Sequence, residues 1–193
     1  FEIDDPTLRS DFLGKVGEDS NGQMAIDLYK KNQIDTKTVF ISKDFPTGVA
    51  GIMINKSDGT NAIIVYPGAS MEITIDEVNQ FLNILSNCKV FLTQLEIKKE
   101  VTLHSLKIAK KGGAITILNP APAIKIEDEF FRYIDFFTPN ETEAEFYTGI
   151  KISNEKEKPE LSLDELKRRQ YLVGLSIEDL ELILHPLAEE GKE

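Results

Sequence analysis

Short apolar runs alternate with helix-patterned segments along most of this chain, and that alternation leaves few folds open. Runs at 12–16, 39–42, 88–93, 114–118 and 134–137 have strand length. Segments at 25–31, 75–85, 99–111, 128–133 and 141–147 have helical character. Parallel strands need a long crossover, usually a helix, so this order predicts an α/β fold: a parallel sheet covered by helices on both faces. Cys88 to Thr93 reads as a buried-type strand. In 99–111, Val101, Leu103, Leu106 and Ile108 form the apolar side, and Gly112-Gly113 ends the helix. Met24, Leu28 and Tyr29 fall on one side of 25–31. Thr74 with Glu77 and Asn140 with Glu143 have capping-box spacing, which sets helix starts at both places.

One pair of strands breaks the rhythm. Residues 47–55 are β-branched and alternating, Ser57-Asp58-Gly59 supplies turn chemistry, and 61–66 returns before Pro67-Gly68. A hairpin between α/β segments projects from the main sheet as a flap. After position 153 the character changes again. Residues 153–160, with Asn154-Glu155-Lys156-Glu157-Lys158-Pro159, read as a linker. Beyond it, Ser162 with Glu165 and the stripe Leu180, Ile183, Leu184, Leu187 predict a helical tail over 161–193. The domain expectation is therefore one α/β domain over 1–152, the linker, and the tail.

Composition narrows the function. Lys and Arg total 22 against 33 for Asp and Glu, a net charge of -11, which argues against nucleic acid and anionic membrane as partners. The lone Cys88 suits a reducing compartment and predicts a cytoplasmic location. Two histidines and one cysteine leave little room for a zinc site or a histidine triad. No run reaches membrane-spanning length, and no signal peptide is legible ahead of Met24, the first methionine. The opening at Phe1 reads as the interior of a longer sequence, with a processed N-terminus as the alternative.

In a parallel α/β sheet, ligands sit beyond the carboxyl ends of the strands. Glu96, Asn119, Asn140 and Glu143 all follow such ends. An acid and two amides along one rim suit sugar hydroxyls and phosphate–metal groups. Plain readings exist beside this one. Glu96 is also a solvated loop acid, Asn119-Pro120-Ala121-Pro122-Ala123 also a rigid loop, and Asn140 with Glu143 also a capping box. Gly14 to Gly22 lacks the Rossmann and Walker patterns and reads as a turn and helix entry. Lys110-Lys111 reads as a solvated helix end, and His104 as surface or packing.

In order, the chain carries Gly14-Lys15-Val16-Gly17-Glu18-Asp19-Ser20-Asn21-Gly22, Ile34-Asp35-Thr36, Thr47-Gly48-Val49-Ala50, Gly68-Ala69, Gln94-Leu95-Glu96, Asn119-Pro120-Ala121-Pro122-Ala123 and Thr138-Pro139-Asn140-Glu141-Thr142-Glu143-Ala144-Glu145, closing with Thr148-Gly149-Ile150. This series resembles the PfkB-type carbohydrate kinase family, and within it the ribokinase branch. The resemblance implies a Rossmann-like three-layer sandwich, incomplete here, with the hairpin as a lid over the sugar and as the dimer contact. It implies transfer of the ATP γ-phosphoryl group to D-ribose, with Mg2+ and, in the intact family member, a monovalent cation such as K+. By resemblance Glu96 holds sugar hydroxyls, Asn140 contacts ATP, and Glu143 helps organise Mg2+ through water.

Departures accompany the resemblance. The family's Gly-Ala-Gly-Asp segment, which carries the catalytic aspartate, has no counterpart in these 193 residues, so no catalytic residue is assigned and the chain alone is expected to be inactive. The Gly-Gly-Lys sugar-binding segment is also missing. Ser70 stands where the family usually has Asn. Arg168 to Lys192 is similar to a short stretch of the glutamate synthase large subunit. That implies a fused or misassembled origin near 155–159 rather than a second activity, since a glutaminase would need an N-terminal cysteine.

Overall fold

Parallel pairing shapes the protein, seen here in a computed structural model that describes residues 10–151. The expectations for the linker at 153–160 and the tail at 161–193 lie outside the described residues. The described chain divides into two compact units, the first holding residues up to Phe81 together with Glu96–Val101, the second Leu82–Leu95 and the chain from Thr102 onward.

In the first unit, β1 (Ser10–Asp11) pairs in parallel with β3 (Ile34–Asp35), and β2 (Gly14–Gly17) with β4 (Val39–Ser42). The crossover from β2 is α1 (Ser20–Lys31), which starts within the glycine-rich stretch because Asp19 caps it, accepting from the Gly22 amide at 2.8 Å. Phe12 packs on Tyr29, with ring centroids 4.6 Å apart. Met24 and Leu28, expected on an inward side with Tyr29, are exposed. The hairpin is present as β5 (Val49–Ile54) and β6 (Asn61–Tyr66), antiparallel, with Ile52 opposite Ile63.

The single helix expected over 75–85 is two: α2 (Ile75–Asn79) and α3 (Leu82–Asn87). The capping box of Thr74 and Glu77 forms as the spacing predicts. The break follows where the amides of Gln80 and Phe81 bond three residues back, a tightened turn that packs the Phe81 ring against Phe40. Lys15 on β2 donates to Glu77 at 2.6 Å and to the Glu72 carbonyl at 3.2 Å. That ties the strand to α2 and to the 3-10 turn Gly68–Glu72.

The second unit is a three-stranded parallel sheet, β7 (Val90–Thr93), β8 (Ile115–Leu118) and β9 (Phe136–Phe137), in that order. The helix α4 (Lys99–Lys111) leads into β8. Leu95, Leu106, Leu118, Ile126, Phe130 and Ile134 form its core. The buried stripe of α4 is Val101, Thr102, Ser105, Leu106 and Ala109; Leu103 and Ile108 are only half-buried. Small residues let the helix approach closely, and the two bulkier side chains sit at the margin.

Two expectations are corrected here. The strand over 88–93 is not of the buried type: Val90 and Leu92 are exposed. Register aligns Val90 with Ile115, and Leu92 with Ile117 and Phe136, so one face of this sheet is covered and the other, with Ile115 and Phe136 also exposed, is open among the described residues. Lys110 is not a freely solvated helix end, since it pairs with Asp135, whose second oxygen accepts from the Thr116 amide at 2.9 Å and hydroxyl at 3.0 Å. Burial works to raise the Asp135 carboxyl, but Lys110 and Thr116 outweigh it and hold it below the usual carboxylate range.

Leu106 is fully buried in the core, so Leu106→Ala should destabilise the second unit by about 2–5 kcal/mol, read from the denaturant midpoint. A depressed carboxyl contributes stability above its unfolded pKa, near 4, and loses it as pH falls through the lower folded value. Stability should therefore decline below about pH 4, and Asp135→Asn should flatten that decline in acid titrations followed by circular dichroism.

Candidate active site

The second unit's sheet collects polar residues at its carboxyl end because all three strands run the same way. Backbone bonds fix this rim. The Asn119 amide donates to Thr93 O at 2.9 Å, Thr138 N to Leu118 O at 3.0 Å, and Leu95 N to Ala121 O at 2.9 Å. The Asn119 to Ala123 segment is thereby held to the end of β7, with Pro120 buried and Asn119 exposed. Thr102 on α4 donates to Gln94 O at 3.3 Å, which sets the start of the following bend.

Asn140 and Glu143 are brought together at the head of α5 (Glu141–Thr148). The contact is reciprocal. Asn140 Oδ1 accepts from the Glu143 amide at 2.8 Å, while Glu143 Oε2 accepts from the Asn140 amide at 2.8 Å and Oε1 from Asn140 Nδ2 at 3.0 Å. Glu143 is buried at 6% exposure, an unusual place for a carboxylate, whereas Asn140 is exposed. Behind them, Tyr147 donates to Ile124 O at 2.6 Å and stacks edge-on with Phe137. Burial, with the Glu143 charge added, raises the Tyr147 hydroxyl above its ordinary value.

Glu96 belongs to the first unit. It is exposed in the bend after β7, two residues before Lys98, whose ammonium lies 3.5 Å from Glu72. The structure thus joins two of the three candidate residues and positions the third with the other unit.

The first unit also holds a carboxylate for which the sequence indicated only a turn. Asp19 Oδ1 accepts from Gly22 N at 2.8 Å and from Thr47 Oγ1 at 2.7 Å, and Oδ2 from Thr47 N at 2.7 Å. Thr47 Oγ1 in turn accepts from Gly17 N at 2.9 Å. The Thr47 amide, then the Gly22 amide and the Thr47 hydroxyl, hold the Asp19 carboxyl below its ordinary value. The stretch reads in sequence as a turn and helix entry, and no local spacing announces the tie of Asp19 to Thr47, 28 positions away.

Magnesium is tested against this donor set. Among the described residues no group of three or more histidine, cysteine, aspartate or glutamate side chains could enclose a metal ion. Both Glu143 oxygens already accept from Asn140, yet a carboxylate has further lone pairs. Such a group suits contact through the water shell that magnesium keeps, with nucleotide phosphates supplying the inner ligands.

A family model for the pfkB family carbohydrate kinases matches residues 7–171. The chain belongs to the pfkB family of carbohydrate kinases. This pfkB-family chain is 37% identical over 145 residues to the ribokinase of Staphylococcus aureus (strain COL), covering 75% of the chain and 47% of that relative. It is 35% identical over 141 residues to the ribokinase of Mus musculus, covering 72% of the chain and 43% of that protein. Among solved structures, Arabidopsis thaliana ribokinase complexed with ribose and ATP is similar at a TM-score of 0.66 and 29% identity, over 77% of this chain and 48% of that one. The chain therefore spans less than half the length of these relatives. The expected Rossmann-like α/β class with a β-hairpin agrees with these neighbours.

Removing the Asn140 side chain should uncap α5 while leaving Glu143 buried with one donor fewer. Asn140→Ala should cost about 0.5–2 kcal/mol locally, seen as faster amide exchange in the first turn of α5, and Asn140→Ser, which caps without setting a second carboxylate against Glu143, should recover part of it.

Proposed function

We propose that these residues form part of a ribokinase-type sugar kinase that transfers the γ-phosphoryl group of ATP to the O5 hydroxyl of D-ribose, giving ribose 5-phosphate. The observation that carries this reading is the family membership, taken with the paired Asn140 and buried Glu143 on the carboxyl rim of a parallel sheet. The complex of the Arabidopsis relative with ribose and ATP supports the same substrates.

In this reading Glu96 accepts hydrogen bonds from the sugar hydroxyls, Asn140 meets the nucleotide, and Glu143 orders water around Mg2+. A helix N-terminus suits phosphate through its amide donors and dipole, so capping and ligand roles coexist. When bound, Mg2+ neutralises phosphate charge; positioning and charge stabilisation supply most of the catalysis in phosphoryl transfer. The proton acceptor is the aspartate of the Gly-Ala-Gly-Asp segment, which the 193 residues do not include. A monovalent cation such as K+ belongs to the proposal for the intact enzyme. So does a homodimer through the hairpin, supported by strands exposed on both faces. A cytoplasmic location rests on the lone Cys88; among the described residues no helix is long and apolar enough to cross a membrane.

One observation favours a second reading within the family. Ser70 replaces the usual Asn and donates its hydroxyl to Pro67 O at 2.7 Å, turning it into its own loop. Another sugar or a nucleoside is the substrate in that case, and a substrate panel in a coupled ADP assay separates the two.

Calorimetric titration with ribose and ATP of a full-length polypeptide that adds both the Gly-Gly-Lys and the Gly-Ala-Gly-Asp segments to these residues tests the main reading, and binding of neither sinks it. There, Glu96→Ala should weaken ribose by about 10- to 150-fold, the equivalent of one charge-assisted hydrogen bond. The 193-residue chain alone should release no ADP from ATP and ribose; turnover by it would show that the missing aspartate is dispensable.

A further inference from the structure

Among the described residues of the first unit, the hairpin β5–β6 is left open along its length. Every residue of both strands is exposed, including Ile52, Met53, Ile54, Ile63 and Ile64. Its direction is therefore set where its two feet meet the rest of the unit. The feet are clamped to each other: the Ala69 amide donates to Pro46 O at 2.8 Å. Gly68, at φ 56°, lies so close that a Cβ would come within 2.3 Å of that carbonyl. The first foot is then clamped to α1 by a single carboxylate. Asp19 takes the Thr47 amide on one oxygen, and the Thr47 hydroxyl and Gly22 amide on the other. The fit is tight, since a Cβ on Gly22 would meet Gly17 O at 2.2 Å and Thr47 Oγ1 at 2.9 Å.

We propose that Asp19 and Thr47 are the pivot of the hairpin, positioning residues that fix its angle to α1. All the groups facing Asp19 in this set are donors, so only an acceptor on both oxygens satisfies them. Asparagine would set an NH2 against a donor on one side. Threonine serves because it offers Asp19 two donors from one residue while its oxygen still accepts from Gly17 N. Simple helix capping needs only the Gly22 contact; the two bonds to Thr47, 28 positions away, do not serve α1. The bearing of this pivot on sugar capture rests on the lid reading above, but the pivot itself does not.

The test is a distance measurement within the first unit of the full 193-residue chain. Nitroxides on Lys31→Cys in α1 and Lys56→Cys in the hairpin turn, with Cys88→Ser, report the hairpin angle by pulsed electron spin resonance. The parent should give one narrow distance distribution. Thr47→Val, which keeps the Asp19 contact to Gly22, should broaden and shift it, as should Asp19→Asn, while Thr47→Ser should restore it. Circular dichroism melts separate loss of the angle from loss of the fold. An unchanged distribution in both Thr47→Val and Asp19→Asn overturns the proposal, and so does broadening in Thr47→Ser equal to that in Thr47→Val. Broadening accompanied by unfolding in every variant also overturns it, since the contact would then be structural only. Ribose addresses the other reading in a longer polypeptide that adds the missing Gly-Gly-Lys and Gly-Ala-Gly-Asp segments: if ribose binds there and leaves the distribution unmoved while the variants broaden without it, the pivot stands and the lid role falls.

Discussion

Parallel strand pairing is the constraint from which the chemistry of this chain follows. A parallel pair cannot close on a tight turn, so each strand is followed by a long excursion over the sheet and a return to the same starting edge. Every residue that directly follows a strand then lies at one end. In the second unit the result is concrete: Gln94 follows β7, Asn119 follows β8, and Thr138 with Asn140 follows β9. No long-range selection of partners is needed to collect these groups, because the register of β7, β8 and β9 does it. The backbone bonds from Asn119 to Thr93 and from Thr138 to Leu118 continue the ladder past the strand ends, so the rim is held as rigidly as the sheet.

The two ends of the sheet differ in character. Near the start of β9, Asp135 is consumed by Lys110 and Thr116, an arrangement that ties α4 to the sheet and leaves the carboxylate no spare role. At the other end, Glu143 is more deeply buried than the half-buried Asp135, yet it is satisfied locally by a residue three positions away, and that residue is exposed. A carboxylate fed only by a surface neighbour can exchange partners without disturbing the core. That distinction, rather than burial itself, separates a stabilising acid from one suited to a ligand.

Local signals were legible in the sequence and distant ones were not. The capping boxes at Thr74 and Asn140 each need only residues three apart, and both formed as their spacing implies. The hairpin also followed from alternation and turn residues. The break of 75–85 into α2 and α3 was not legible, because it accompanies the packing of Phe81 on Phe40 across 41 positions of chain. Nor could an apolar run such as 88–93 announce that one side would remain uncovered, since such runs record what a strand can bury rather than what lies against it. In the candidate site, the Asn140 and Glu143 pair could be read directly, whereas Asp19 and Thr47 share no motif and meet only through the crossover that α1 completes.

Asp19 also shows why a glycine-rich entry to a helix need not be a phosphate loop. A phosphate cradle leaves successive amides pointing at open space. Here the nearest candidates are already taken: the Gly22 amide by Asp19, the Gly17 amide by Thr47 Oγ1, and the Glu18 amide by Ser42 O. A carboxylate at the centre would repel an incoming anion as well. The glycines instead permit backbone segments to meet at van der Waals limits, where side chains would force them apart. The same composition that could hold a nucleotide in another fold here joins a hairpin to a helix, and the deciding difference is one acidic side chain placed among the donors.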